Sequence, residues 1–260
     1  MSEPTRTASR LKAIGRRLCK GTASAEDEAI FEQYIDAHAA VLEEVSDALR
    51  GLDLAATPRL KTRKTLLEKV DRGTDLARME DIAGLRLPPC EDWRTQDELA
   101  RLIVDHFPGA HPRDRRVTPS AGYRAVHVIV RGSNGCAVEI QIRTQLQQAW
   151  AELFEKFTDL IGREYRYGAV PAVSPAAELF VTLQRVAESF AGNERARFTL
   201  QEAENMAVGV THVAAVAASL EAARSSLAKS DQSCQEILAM LPLALAEFEA
   251  LSEPSSSGEA

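Results

Sequence analysis

Residues Gly122 to Thr144 read GYRAVHVIVRGSNGCAVEIQIRT, and this stretch decides the fold. His127 to Val130 is a short run rich in β-branched residues, the composition of a strand. Gly132-Ser133-Asn134-Gly135 is a turn cluster ending in Asn-Gly, a hairpin signal. Ala137 to Ile142 alternates. Val138, Ile140 and Ile142 point one way; Glu139, Gln141 and Arg143 point the other. A face carrying Glu, Gln and Arg, with Tyr123 and His127 nearby, has the makeup of a site for a phosphorylated ligand.

Working outward, Ser24-Ala25-Glu26-Asp27 is a helix start of capping-box type. Ile30, Tyr34, Ala37, Val41, Val45, Ala48 and Leu52 then recur at helical spacing, and the helix ends around Gly51. A second helix is expected over 59–72, burying Leu66, Leu67 and Val70, with Lys61, Thr65, Lys69 and Arg72 on another face. Ile82 to Leu87 reads as a strand that Pro88-Pro89 ends. A helix over 95–107 turns Leu99, Leu102, Ile103 and Phe107 inward. Pro108 to Pro119 reads as a loop. Leu146 to Tyr165 is helical, with Trp150, Leu153, Phe154, Phe157 and Ile161 on its apolar side.

Ala169 to Pro175 reads as a linker, and beyond it the pattern is helical. Leu179, Leu183, Val186 and Phe190 form one stripe. Met206, Val210, Val213, Ala217, Leu220 and Leu227 follow a heptad-like spacing that Arg224 interrupts. Ile237, Leu241, Leu245 and Phe248 form the last stripe, with Pro242 kinking or restarting it. The organisation expected is an N-terminal segment (1–23), an α/β domain (24–168), a helical extension (169–252) and a disordered tail (253–260). The C-terminal helices pack on their own domain or form a homo-oligomer contact.

The chain has 260 residues, 45% hydrophobic and 27% charged, the profile of a soluble globular protein. No apolar run reaches the ~20 residues of a membrane span, and the N-terminus lacks the apolar core of a secretory signal. Cys19, Cys90, Cys136 and Cys234 are scattered, with no zinc spacing and no disulfide framework, so a cytoplasmic location is expected. The net charge of −7 resides in the last sixty residues, leaving the first 200 balanced. Within them, 59–72 holds six basic residues against two acids, and Arg113, Arg115 and Arg116 cluster further on. Such clusters are solvated faces or polyphosphate contacts.

Three segments supply compatible chemistry: cations over 59–72, Asp81 at the mouth of a strand, and Glu139 on another. Two carboxylates on neighbouring strands can share Mg²⁺, which prefers hard oxygen ligands and bridges substrate phosphates. Cations beside them neutralise a triphosphate, and Tyr123 can stack on a base. That is the layout of phosphoryl-type transfer.

Over about 59–167 the sequence resembles the synthetase domain of the RelA/SpoT-type alarmone synthetases, in their small stand-alone form. The residues carrying the resemblance are Arg59-x-Lys61 with Lys69 eight residues on, Asp81-Ile-Ala-Gly-Leu-Arg86, Gly122-Tyr-Arg-Ala-Val-His127, and Glu139-Ile-Gln-Ile-Arg-Thr144. Together and in this order they are far more specific than any one of them. The resemblance implies a nucleotidyltransferase-like α/β (α+β) fold: a mixed sheet flanked by helices, with a C-terminal helical extension. It implies transfer of the β,γ-pyrophosphate of ATP to the 3′-OH of GDP or GTP, giving (p)ppGpp and AMP. Arg59, Lys61, Lys69 and Arg72 would hold ATP. Asp81 and Glu139 would bind Mg²⁺, and Glu139 would help deprotonate the 3′-OH. Tyr123 would stack on guanine with His127 near the acceptor's phosphates or ribose. Gln141 and Arg143 would bind substrate or brace Glu139.

The chain departs from the family just before Gly122. The family's Lys and Asn (PKxNGY), which serve the acceptor, are replaced by Pro119-Ser-Ala121, and an upstream Asp-Tyr is missing. Arg113, Arg115 and Arg116 are candidate substitutes. The departure leaves two alternatives: a toxin-like pyrophosphokinase acting on the tRNA 3′ end or on adenine nucleotides, and a catalytically silent nucleotide-binding regulator.

Overall fold

The computed structural model describes residues 8–167, 169, 175–208 and 213–252. The first seven residues, most of the expected linker, Val210 of the heptad stripe and the expected tail lie outside the described residues. The rest divides into two compact units. One comprises the chain up to Pro88 with Glu98–Arg113 and Val126–Ile142; the other comprises Pro89–Asp97, Asp114–Ala125 and the chain from Arg143.

The first unit is built on a five-stranded mixed sheet. Its strands are β1 (Thr57–Leu60), β2 (Ala83–Arg86), β3 (His111–Asp114), β4 (Val126–Arg131) and β5 (Ala137–Ile142). Their spatial order is β1-β2-β5-β4-β3. β2 and β5 are parallel, while β1–β2 and β4–β5 are antiparallel. The β4–β5 hairpin is as the sequence predicts, with Gly135 in the left-handed region at φ 79° and its N–H donating to the Gly132 carbonyl at 2.9 Å. Val138, Ile140 and Ile142 are buried, as their alternation predicts.

Helix α1 (Ala8–Cys19) precedes α2 (Ala25–Gly51), whose Ser24–Asp27 capping box forms as expected. α2 packs on β1, β2 and β5. Leu11, Ile14, Phe31 and Tyr34 meet Leu66, Val70, Leu76 and Ile82 in one buried cluster. The sequence predicts no helix for the α1 segment, yet Leu11, Ile14 and Leu18 are among its buried residues.

Several expectations are corrected. The helix predicted over 59–72 begins only at Arg63: α3 is Arg63–Asp71, with Thr62 as its N-cap. Arg59 lies on β1, because Thr57–Leu60 pairs residue for residue with β2. Pro58 is tolerated there because β1 is an edge strand. Helix α4 (Trp93–His106) buries Ala100 and Ile103 but leaves Leu102 exposed. The loop predicted over 108–119 contains β3.

The second unit is helical. α5 (Gln145–Ile161), α6 (Pro175–Met206) and α7 (Ala214–Ser252) enclose Trp150, Phe154, Phe157, Phe180, Leu183, Phe190, Leu241 and Leu245. Pro242 lies inside α7. Arg197 binds Asp231 at 2.5 Å and Arg224 binds Glu204 at 2.7 Å, so α6 and α7 run antiparallel. The stripe expected from Met206 onward is therefore not one face. α6 ends at Met206 and α7 starts at Ala214, with Met206 and Val213 exposed and Leu220 buried.

Glu194 is a buried carboxylate on α6. It accepts hydrogen bonds from the Thr144 hydroxyl, Trp93 Nε1 (3.0 Å) and Gln147 Nε2 (3.2 Å). Burial raises its pKa despite these donors. The folded state therefore binds the proton more tightly than the unfolded chain does. Its contribution to stability grows as pH falls from the raised value toward the ordinary 4.5. Urea unfolding across this window should show wild type gaining on Glu194→Gln as pH falls. A difference that stays flat or shrinks contradicts the assignment.

Candidate active site

The site rests on sheet register. Arg59, Gly84 and Glu139 are paired across β1, β2 and β5, and Arg86, Gln141 and His127 are paired across β2, β5 and β4. Directly paired residues share a sheet face, so these six occupy the face opposite Val138, Ile140 and Ile142. Gly84 separates Arg59 from Glu139 without a side chain. A Cβ there would lie 3.2 Å from the Glu139 carbonyl oxygen.

Asp81 lies two residues before β2. Lys61, just past β1, places Nζ 2.7 Å from Asp81 Oδ2 and 2.6 Å from its carbonyl. Lys69, in the last turn of α3, bonds the same carboxylate oxygen. The two lysines thus converge from separate elements, where the sequence places them on one helix. Burial pushes the Asp81 carboxyl up, but the two ammonium groups outweigh it and hold its pKa at about 2. Burial in turn lowers the Lys61 pKa against the pull of Asp81.

Glu139 is nearly enclosed. His127 Nδ1 stands 2.8 Å from Oε1, and Gln141 Nε2 donates to Oε2 at 2.8 Å. Burial raises the carboxyl pKa, yet the His127 and Gln141 contacts prevail and hold it below the ordinary glutamate range. The charge of Asp81 is also felt there. Arg72 caps the C-terminus of α3 and is exposed.

Asp81, just before β2, and Glu139, on the neighbouring parallel strand β5, are hard oxygen donors of the kind Mg²⁺ takes, one or two protein carboxylates with the shell completed by phosphate and water. Among the described residues no group of three or more His, Cys, Asp or Glu forms a protein-only cage. The donor set therefore suits a metal that arrives with a phosphorylated substrate.

Tyr123 and Arg143 belong to the second unit. The Arg143 guanidinium lies 4.9 Å from the centre of the Tyr123 ring, and its Nη2 donates to the Tyr123 hydroxyl at 3.0 Å. The loop carrying Tyr123 is fastened by α6. Gln184 Nε2 donates to the Ala121 carbonyl at 2.5 Å. Arg124, buried, donates to the carbonyls of Gly122 (3.1 Å) and Ala187 (3.2 Å) and pairs with Glu188 at 2.6 Å. Gly122 has φ 88°, and a Cβ on it would come within 2.7 Å of Trp150 Cζ2. Backbone conformation and packing both require glycine here. Sequence reasoning missed Arg124, Gln184 and Glu188, since no local pattern links a loop to a helix sixty residues on. Arg116 is engaged by Asp97 (2.6 Å) and Asp114 (2.7 Å), which makes it a structural cation.

Residues 58–158 match the model described as a region found in RelA / SpoT proteins. The uncharacterized protein Rv1366 of Mycobacterium tuberculosis is 36% identical over 194 residues, covering 71% of this chain and 71% of that protein. The chain belongs to the RelA/SpoT family. Protein Mb1401 of Mycobacterium bovis matches this RelA/SpoT chain to the same extent. Among solved structures, small alarmone synthetase 1 from Bacillus subtilis aligns with TM-score 0.51 and 22% identity, covering 66% of this chain and 96% of that one. Small alarmone synthetase 2 from the same organism aligns with TM-score 0.52 and 19% identity, covering 66% and 97%. The RelA/SpoT chain shares their fold. Among its described residues no helix is long and apolar enough to cross a membrane.

Proposed function

We propose that this chain transfers the β,γ-pyrophosphate of ATP to the 3′-hydroxyl of GDP or GTP, giving (p)ppGpp and AMP. The observation that carries the reading is the convergence of Lys61 and Lys69 on Asp81, beside Glu139, in a RelA/SpoT chain. Arg59, Lys61, Lys69 and Arg72 bind the ATP phosphates and flank its adenine, and Gly84 leaves the sheet face between Arg59 and Glu139 open. Asp81 and Glu139 would hold Mg²⁺, which when bound would supply Lewis-acid neutralisation of the phosphate charge. Glu139, kept ionised by His127 and Gln141, accepts the proton of the 3′-hydroxyl as the new O–P bond forms. The bond from the β-phosphorus to the α,β-bridging oxygen breaks, and that oxygen leaves with AMP. Tyr123 stacks on the guanine, and Arg143 fixes its ring.

The test is incubation with γ-labelled ATP, Mg²⁺ and separately GDP, GTP, adenine nucleotides or tRNA. Label should pass to the guanine nucleotides with stoichiometric AMP. Transfer to tRNA or adenine nucleotides alone would replace the acceptor; no transfer to any acceptor would overturn the reading. In the same assay Tyr123→Ala should raise the acceptor KM by about 5–150-fold, the range of a lost base stack, with little change for ATP. Tyr123→Phe, which keeps the ring but loses the hydroxyl that Arg143 holds, should fall between wild type and the alanine variant.

A further inference from the structure

A cavity lies within the sheet-containing unit. Its volume is about 720 Å³, within the range of small-molecule sites. Lys61, Lys69, Asp81 and Glu139 do not line it. Its rim carries Arg78, from the turn before β2, Arg113 of β3 and Arg131 of β4, with Glu80 among them. Three arginines from separate segments therefore share the lining with a single carboxylate. Glu80 pairs with Arg113 and lies 3.4 Å from Arg131, so it gathers both at one place. Arginine forks placed in this way match the oxygens of phosphate groups.

The lining also includes the mostly buried Leu11, Tyr34, Met79 and His38. Two of the lining residues are held by hydrogen bonds. The Tyr34 hydroxyl donates to the Leu76 carbonyl at 3.3 Å, and Asn134 of the hairpin turn donates to the Ala37 carbonyl of α2 at 3.0 Å. A lining that combines three arginines with Tyr34 and Met79 suits a ligand with a phosphorylated end.

We propose that this cavity is a second binding site, for a ligand bearing a di- or triphosphate group, with Arg78, Arg113 and Arg131 holding the phosphates. The site abuts the candidate active site through the chain itself. Glu80 precedes Asp81, and Ala137 on the cavity wall is two residues from Glu139. Occupancy is thus placed to be felt at both carboxylates.

Hydrogen–deuterium exchange on the full chain, without ATP, tests the site directly and does not depend on catalysis. Inorganic pyrophosphate and GDP are added in separate arms, and peptides spanning 76–80 and 131–137 are followed. Both peptides should gain protection. Arg78→Ala with Arg131→Ala should raise the half-protecting concentration by about tenfold or more, as expected for lost charge-assisted bonds. Arg78→Lys with Arg131→Lys should retain part of the protection. Tighter binding of GDP than of pyrophosphate identifies a nucleotide as the ligand, and equal binding identifies the anion alone. No protection by millimolar ligand in either arm overturns the proposal, as does protection that the alanine pair leaves unchanged.

Discussion

Glu139→Gln is expected to lower the rate of AMP release at saturating ATP by about 10²–10⁴-fold, the range for loss of a positioned general base. The substitution preserves shape. The side chain sits among His127 and Gln141, each 2.8 Å away, and an amide occupies the same space. The charge is lost, and with it the affinity for a proton and for a hard cation. Far-UV circular dichroism and urea unfolding should match wild type, which separates chemistry from folding. Activity above about a tenth of wild type would remove Glu139 from the proposed base role.

Trp150→Ala is expected to cost about 3–5 kcal/mol of stability, the range for deleting a large buried aromatic. Trp150 is 2% exposed, stacks on Phe154 at 4.7 Å, and donates Nε1–H to the Leu183 carbonyl at 2.8 Å. Its ring also lies against Gly122. The loss therefore combines a cavity with removal of the Trp150–Leu183 hydrogen bond in the α5–α6 contact. The midpoint of urea unfolding reports it. Trp150→Phe, which keeps most of the volume but not the N–H, should fall between. A loss below about 1 kcal/mol for the alanine variant would contradict this account of the helical core.

The hairpin was legible because alternation and turn chemistry agree over Val126–Ile142. α2 was legible because its cap and its apolar period agree. Thr57–Leu60 was not, because four residues carry too little periodicity to announce an edge strand. The lysines downstream imitate a helical face, and pairing with β2 overrides them. Likewise the heptad-like run from Met206 reads as one stripe only if the chain goes straight, and it turns back on itself. At the candidate site, residue types and order were visible, whereas contacts were not. That Lys61 and Lys69 meet on one oxygen of Asp81 depends on where β1 ends and α3 begins. The fastening of Ala121 and Gly122 by Gln184 and Arg124 depends on tertiary packing that no local window contains.

The family match ends at residue 158, inside α5, while the apolar side of α5 is covered by α6 and α7. The boundary of shared sequence is therefore not a boundary of folding. A protein shortened to the matched span would present Trp150, Phe154 and Phe157 to water, and would lose the Gln184 and Glu188 partners that hold the Tyr123 loop. Swapping this segment into another scaffold should fail unless the later helices travel with it. Modularity here belongs to the longer chain, which inherits or loses its loop geometry as one piece.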